Sequence, residues 1–430
     1  MFEPRFAPVV QRFADRGMRD VTGAVREQLA LSAIVEHLHP QSRIAIAVGS
    51  RGIANLAEVV RTTVSYFNER GHKPFIVPAM GSHGGGTAKG QIDILAKYGI
   101  TEANSGCAIE SSIETVSLGR TPEGLDTYFD RHAFASDGVF LINRVKWHTT
   151  FDAPIESGLM KMAAIGLGKV AGATAYHQHA VRTDLGHVIR SVGRHVLASG
   201  KIIGGLALLE DAYHQTAKLA VIPATSMERE EEQLLALTRS WMARILFDEV
   251  DILIVDEIGK QISGAGMDSK VINRHPYGAV NAWPWAPRIR RIYVRDLSPL
   301  SYGNAIGLGM ADLISERLYN TINWTATKVN ALAASNLNVI KTPIRAANDR
   351  EALDILSKAV GKSDPALVTC VRIRNTLELI NLQVSENLVA AARAHPDMDV
   401  LGPAEPATFD DEGNLKQNWI AEQELEQIGA

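Results

Sequence analysis

Along most of its length, the chain alternates short apolar runs with longer amphipathic stretches, and this alternation restricts its fold more than any other feature. RIAIAV (43–48), PFIVPA (74–79) and DGVFLIN (137–143) have the length and apolar content of buried strands. Stretches with helical periodicity follow them, such as NLAEVVRTTVSYFNERG (55–71). Strands separated by helices pair in parallel. The sequence therefore predicts an α/β fold with mostly parallel sheets and helices on both faces.

A chain of 430 residues is expected to form two domains. The first, residues 1–249, includes a predicted β-hairpin at 201–224. VDILIVDEIG (250–259) begins another buried strand, and the same alternation continues through the second domain, 250–402. Residues 403–430 form a polar tail, for which packing against the first domain is one possibility. A cofactor and substrate cleft is expected between the two α/β domains.

Composition excludes several classes of protein. The net charge of −4 gives no overall field that would attract nucleic acid. The two cysteines, Cys107 and Cys370, indicate a reducing compartment without disulfides. The N-terminus lacks the apolar core of a signal peptide, and no apolar run reaches the ~18–20 residues that span a bilayer. We expect a cytoplasmic protein that binds neither nucleic acid nor membrane, and a homo-oligomer is compatible with this composition.

Two loops after predicted strands carry candidate binding residues. VGSRGIAN (48–55) contains Ser50 and Arg51, and backbone N–H groups at a helix start together with an arginine favour an anion such as a carboxylate. A tight turn with a solvated arginine is the alternative. GSHGGGT (81–87) places His83 among glycines that let the backbone approach a ligand closely, although a surface histidine is the bland interpretation. The missing Gly-Lys-Ser/Thr argues against a nucleoside triphosphatase.

Residues 143–180 hold the densest group of chemically capable side chains. They are His148, Asp152, Glu156, Lys161, Lys169, His177 and His179. Lys161 follows Ser157-Gly158 in an apolar stretch, where a lysine is costly unless it is paired, modified or of lowered pKa. A lysine that extends its amine to solvent is the alternative. GLGKVAG (166–172) lacks both the glycine spacing and the preceding strand of a dinucleotide fingerprint.

A fourth loop, DEIGKQISGAGMDSKVINRH (256–275), follows the first strand of the second domain. Its candidate polar site consists of Asp256, Glu257, Lys260, Asp268 and Arg274. A long polar connector explains the same composition equally well.

These motifs together resemble the nickel-dependent lactate racemase family, over about residues 40–335. The family has a Gly-Thr-His turn, which Gly81-Ser82-His83 matches, and a Thr-Arg turn, which Ser50-Arg51 matches. It has a loop histidine before Ser-Gly-x-x-Lys, matched by His148 with Ser157-Gly158-Leu159-Met160-Lys161. Its later histidine is matched by His177. Members carry a nickel-pincer nucleotide. The resemblance therefore implies a racemase or epimerase of a 2-hydroxy acid that depends on cofactor-synthesis proteins. Protein from an ordinary heterologous host would lack the cofactor.

The resemblance also assigns roles. They are covalent attachment of the cofactor for Lys161, cofactor binding for Ser50, Ser157 and Gly158, nickel ligation for His177, acid/base catalysis for His83 and His148, and substrate binding for Arg51 and Tyr302. Removal of a hydride from a 2-hydroxy acid gives a planar 2-keto acid, which can take the hydride back on either face. Two histidines suit the accompanying transfer of the hydroxyl proton, because imidazole titrates near neutrality.

The sequence departs from the family around the substrate. Ile306 stands where the family has a lysine, Gly84 stands where it has an arginine, and the interval from His148 to Lys161 is longer than usual. These departures place the chain outside the lactate-specific branch. Two alternatives stay open: a nicotinamide-type dehydrogenase that uses the same cleft, and a non-catalytic homologue that binds a hydroxy acid or the cofactor. The absence of G-x-G-x-x-G after a strand argues against the first, whereas Ile306 keeps the second open.

Overall fold

The computed structural model describes residues 2–49, 52–180, 182–417 and 419. It divides into two compact units. The first unit is Ala14–Met242, and the second unit is Met1–Phe13 together with Ala243–Ala430. No helix among the described residues is both long enough and apolar enough to cross a membrane.

Strands and helices alternate through both units. The strands of the described residues are β1 (Arg5–Gln11), β2 (Arg43–Val48), β3 (Lys73–Pro78), β4 (Thr115–Arg120), β5 (Asp126–Asp130), β6 (Gly138–Arg144), β7 (Ile202–Glu210), β8 (Thr216–Pro223), β9 (Glu249–Ile258), β10 (Arg288–Leu297), β11 (Leu313–Ser315), β12 (Ile344–Ala346), β13 (Cys370–Ile373), β14 (Asn381–Ser385), β15 (Met398–Val400) and β16 (Glu405–Pro406). The α-helices of the same residues are α1 (Val21–Leu31), α2 (Leu56–Glu69), α3 (Ala88–Lys97), α4 (Glu102–Ser105), α5 (Arg131–Phe134), α6 (Leu159–Lys161), α7 (Lys169–Ala180), α8 (Leu185–Ala198), α9 (Met227–Trp241), α10 (Glu316–Asn320), α11 (Trp324–Ala333), α12 (Asp349–Ala359) and α13 (Val389–Ala394). A π-helix, Met162–Gly166, lies between α6 and α7.

The first unit is built on a five-stranded sheet in the order β3-β2-β6-β7-β8. Strands β3, β2, β6 and β7 are parallel, and β8 returns antiparallel to β7 as the predicted hairpin. Successive residues of β2 enter two different cores, with Ala45 in one and Ile46 in the other. Helices α1 and α2 supply the core on one face, and α7, α8 and α9 supply the core on the other. Both faces are therefore buried, which explains the nearly continuous apolar strand sequences.

The second unit contains a nine-stranded mixed sheet. Strands β12, β11, β10, β9 and β13 are parallel neighbours, and β14, β1 and β15 extend the sheet with antiparallel pairs. Residues 304–335, which the sequence indicates as one helical stretch, contain strand β11 between a 3-10 turn and helices α10 and α11. Strand β11 is only three residues long, too short for a periodic pattern. The two α/β domains and mostly parallel sheets predicted from the sequence are confirmed.

The chain divides at different residues from those expected. Strand β1 falls in the stretch assigned to the first domain, yet it pairs with β14 and β15 of the second unit. The units divide after Met242, before the expected boundary at 249. The short run RFAPVVQ is compatible with any sheet, because nothing local identifies partner strands so distant in sequence.

The described part of the C-terminal tail packs within the second unit. Strand β16 pairs with β1, the backbone N–H of Leu415 donates to Asp349, and Trp419 donates its indole N–H to Asp256 at 3.0 Å. From the sequence, packing of this tail against the first domain had been considered. Leu415 is buried in the apolar core of the second unit, which explains why the tail stays there.

Candidate functional site

The candidate site lies at the carboxyl edge of the first sheet. Strands β3 and β6 are both parallel neighbours of β2, so the loops that follow these three strands leave the sheet at one edge. His83 follows β3, and His148 follows β6. Ligands of open α/β sheets bind at such edges. Ser50 and Arg51, which follow β2, lie outside the described residues.

The glycine turn that carries His83 is held on two sides. The Gly81 N–H donates to the Gly166 carbonyl at 3.2 Å, and the Gln91 side chain donates to the Gly81 carbonyl at 2.9 Å. Gly84 adopts a φ of +68°, and a Cβ there would lie 2.5 Å from the Gly90 carbonyl carbon. A larger residue would push the turn away from α3. The half-buried His83 is thus presented by a turn of fixed shape, as its glycines suggest.

The ring of His148 is oriented by its own loop. Its backbone N–H donates to Glu156, and its Nδ1 accepts a hydrogen bond from the Thr150 backbone N–H at 3.2 Å. The ring stacks on Phe151, with centroids 4.5 Å apart and an interplanar angle of 28°. A backbone N–H can only donate, so a neutral ring carries its proton on Nε2. In the neutral ring of His148, Nε2 is therefore the nitrogen that can donate a hydrogen bond.

Residues 157–161 form a clamped segment beside the His148 loop. Ser157 and Lys146 exchange two backbone hydrogen bonds, of 3.0 and 3.2 Å. The Asn143 amide donates to the Gly158 carbonyl at 2.8 Å. Lys161 ends the short helix α6, where the π-helix begins. Such π-helical insertions are frequent at functional sites, and here one follows directly on the lysine that the sequence selects.

The carboxylate of Glu231 holds residues 157–161 in place. It is buried on α9 and accepts the Met160 N–H at 3.0 Å, as well as that of Leu159. A Cβ on Gly158 would collide with the same carboxylate, so the glycine is required for this close approach. Burial raises the pKa of Glu231 to about 7, against the opposing effect of the two N–H groups. The sequence analysis missed this residue, although it lies on the buried stripe of α9 with Leu234, Leu235 and Thr238.

Stability of the first unit is expected to fall as pH rises from about 5 to 7. The pKa of Glu231 is raised in the folded chain, so in this window the folded chain holds a proton that the unfolded chain releases. A shift from 4.5 to about 7 corresponds to roughly 3 kcal/mol in the free energy of unfolding. Urea unfolding at a series of pH values measures this dependence of the free energy of unfolding on pH. Glu231→Gln should flatten this dependence, and the control Glu232→Gln, which changes the half-buried neighbour that pairs with Arg190, should keep it. Identical pH profiles for wild type and Glu231→Gln would contradict the assignment.

His177 is half-buried near the end of α7, and its environment favours the neutral ring. Burial, and to a smaller extent the positive charge of Lys161, lower its pKa to about 4. Lys161 and His177 are thus close enough to interact electrostatically. A neutral imidazole is the form that binds a transition metal. His179 follows in the same last turn of the helix. Among the described residues, no three His, Cys, Asp or Glu side chains converge as a metal site.

Lys169 is a fully buried cation between the glycine turn and α7. Its amine lies 2.8 Å from the Asp130 carboxylate and donates to the Pro78 carbonyl at 2.5 Å and to the Gln91 side chain at 3.2 Å. Burial lowers the pKa of Lys169, and Asp130 opposes this effect. The sequence indicated Lys169 among the polar residues of 143–180 but gave it no role. A lysine flanked by Gly168 and Val170 was the available signal.

The remaining candidates lie in the second unit. Tyr302 is 81% exposed and adopts a φ of +49° at the end of a 3-10 turn. Ile306 is buried against Ala331 and Val339, so it fills an apolar core where the family lysine would stand. The loop at 256–275 follows the strand β9, whose buried Asp256 is near its end. Asp256 enters a buried ion-pair network with Arg295 and Arg372.

A separate open cavity of about 400 Å³ lies against α8 in the first unit. Asp152, one of the candidates of 143–180, lines it, whereas none of the described residues to which the resemblance assigns a role does. Its polar lining is already paired: Arg194 bonds Glu228, and Ser191 donates to Glu123 at 2.6 Å. The cavity therefore offers a ligand few groups that are not already engaged within the chain.

No protein-family model matches the sequence, and no curated protein matches it either. The structure is similar to a solved structure described as the lactate racemase apoprotein from Thermoanaerobacterium thermosaccharolyticum. The similarity covers 87% of this chain and 99% of that chain, with 13% sequence identity and a TM-score of 0.49. At this identity, roles for individual residues depend on the contacts within this chain.

Proposed function

We propose that the protein is a racemase or epimerase of a 2-hydroxy acid that uses a nickel-pincer nucleotide attached to Lys161. One observation carries the proposal. Lys161, at the end of a clamped helix, lies close enough to the half-buried His177 for its charge to help lower the pKa of that ring to about 4, so His177 is neutral and able to bind a metal at neutral pH.

The residues around Lys161 fit this group. His177 offers one nitrogen ligand, and imidazole suits Ni(II). No cluster of three metal-binding side chains exists among residues 2–49, 52–180, 182–417 and 419, so a metal held here needs a group that brings its other donor atoms. A tethered pincer nucleotide is such a group. Ser157 and Gly158 precede the attachment point and belong to the proposed cofactor site, together with Ser50.

When bound, the cofactor supplies an acceptor that takes a hydride from the substrate carbon and returns it. The other steps fall to side chains of this chain. His83 and His148 take the hydroxyl proton from one enantiomer and return it to the other. The Nε2 of His148 suits this role because its Nδ1 accepts from Thr150. Arg51 is proposed to bind the substrate carboxylate, and Tyr302 to contact the substrate.

Protein made together with the cofactor-synthesis proteins is expected to carry a covalent adduct on the peptide that contains Lys161. Intact-mass measurement and peptide mapping test this attachment. Lys161→Ala should abolish the adduct, whereas a control at the exposed Lys89, Lys89→Ala, should keep it. Metal analysis of the same preparations should find nickel lost in His177→Ala and retained in His179→Ala.

The outcomes separate the proposal from its competitors. An adduct that survives in Lys161→Ala removes the tether from this residue. Nickel retained in His177→Ala but lost in His179→Ala moves the metal to the other ring. Protein that takes up neither adduct nor nickel, and instead oxidises a hydroxy acid with a soluble nicotinamide, would identify a dehydrogenase.

A further inference from the structure

The side-chain amine of Lys169 is bound entirely by groups inside the protein. Its side chain is 0% exposed, as is that of Asp130, and the amine contacts one carboxylate, one backbone carbonyl and one side-chain amide oxygen. An ammonium group has three N–H donors, and three partners satisfy them. This cation is therefore engaged entirely with the polypeptide, in a place where a charge is costly.

Its partners all lead to the proposed site. Pro78 ends strand β3, directly before the turn that carries His83. Gln91, which is also fully buried, receives the lysine on its oxygen and uses its nitrogen to bind the Gly81 carbonyl at 2.9 Å and the His83 carbonyl at 3.5 Å. A continuous chain of contacts thus runs from Asp130 through Lys169 and Gln91 to the backbone of His83.

Lys169 also marks the start of the helix that presents His177. It is the first residue of α7 and adopts a left-handed φ of +52°. On the other side of this junction lies the π-helix that follows Lys161. Val170 lies 3.0 Å from where a Cβ on Gly86 would stand, so the helix start touches the glycine turn directly. The backbone reverses at the point where the turn, the π-helix and α7 meet.

Stability alone does not require an ion pair at this position. Well-packed apolar residues of similar volume commonly replace buried ion pairs without loss of stability, whereas loss of a single partner leaves an unpaired buried charge. An apolar side chain would fill the space, but it could not bind the Pro78 carbonyl or orient the Gln91 amide. Only the lysine provides the hydrogen bonds to the Pro78 carbonyl and the Gln91 side chain, which hold the turn.

We propose that Lys169 is a positioning residue that sets the turn of His83 against the start of α7, and so fixes the acid/base group relative to Lys161 and His177. This assignment rests on the proposed function for its catalytic meaning. The positioning itself is a property of the polypeptide and is measurable without cofactor.

The test compares two variants of the full-length protein. Lys169→Met combined with Asp130→Asn removes both charges, and the asparagine can still accept the Ala133 N–H at the start of α5. Gln91→Leu leaves the Lys169–Asp130 pair in place and removes only the amide that bonds to Gly81 and His83. Both variants are expected to fold, and urea unfolding verifies this.

In protein without cofactor, both variants should exchange the amide hydrogens of residues 81–87 at least tenfold faster than the wild type, and the His83 ring should give a shifted NMR signal. Amides of β7 should exchange at the wild-type rate. In loaded enzyme, kcat should fall with little change in KM, because the acid/base group is displaced and substrate binding is not. Wild-type exchange and an unmoved His83 signal in both variants would overturn the proposal, whatever the loaded enzyme does. If hydrogen exchange is altered in both variants but the wild-type protein takes up no cofactor, the positioning role of Lys169 would be supported and the proposed function would be contradicted.

Discussion

Replacement of Asp349 with alanine is expected to lower the free energy of unfolding of the second unit by about 3–5 kcal/mol. Asp349 is fully buried at the start of α12. It accepts from the Tyr293 hydroxyl at 2.6 Å, the Arg295 Nε at 2.7 Å, the Arg317 Nη2 at 3.0 Å and the Leu415 N–H at 2.7 Å. Alanine would remove one of the two carboxylate partners of Arg295, which keeps Asp256, and one of the two of Arg317, which keeps Asp296. It would also leave the Tyr293 hydroxyl without this acceptor. A domain is typically stable by about 5–15 kcal/mol, so the loss is a large part of the total.

Urea unfolding with hydrogen exchange as the probe assigns this loss to one unit. Protection should fall in β9 and β10 and persist in β2 and β6 of the first unit. Asp354→Ala is the matched control on the same helix. Asp354 pairs with Lys358, whose side chain is 74% exposed, and such pairs contribute at most about 1 kcal/mol. Equal destabilisation by the two substitutions would show that the buried network contributes no more than a surface pair.

Substitution of His83 or His148 by alanine is expected to reduce racemisation by about 10²–10⁴-fold in both directions. Each turnover requires one group to take the hydroxyl proton and another to return one, so the loss of either histidine affects both enantiomers. Chiral chromatography of loaded enzyme with enantiopure 2-hydroxy acids measures the two rates. His179→Ala, which changes another histidine of the first unit, should retain most of the activity.

The two variants should differ in a single turnover. Transfer from one enantiomer needs only one base, so each variant should still react with one enantiomer of the pair. Spectroscopy of the loaded variants with each pure enantiomer separates the two roles. Unchanged racemisation in His83→Ala would reduce the glycine turn to a structural feature, and the same result in His148→Ala would leave its oriented Nε2 without a catalytic role.

Local pattern was sufficient for much of the first sheet. Strands β2, β3 and β6 are continuous apolar runs between helices, and a parallel sheet buried on both faces produces that pattern. Strand β1 could not be assigned in the same way, because its partners lie at the opposite end of the chain. Pairing between such distant segments depends on the finished fold, whereas the strand sequence records only its burial.

For the candidate site, the glycines around His83 pointed to a turn, and the lysine in an apolar stretch pointed to a residue that the structure places at the end of helix α6. Glu231 was hidden because the charges of MEREEEQ suggest a solvated helix face, and only its place on the buried stripe distinguishes it. Lys169 had no such stripe. Its importance follows from Asp130 and Gln91, two partners that are remote in sequence.

The placement of β1 between β14 and β15 also sets an order of assembly during translation. The first unit is contiguous in sequence, so all of its strands have left the ribosome before the second unit is complete. Strand β1 is synthesised first, yet its neighbours are among the last strands to emerge. During that interval its backbone edges have no native partner, and such edges are sites of intermolecular pairing. The nascent chain is therefore vulnerable to aggregation at β1 until β14 and β15 pair with it.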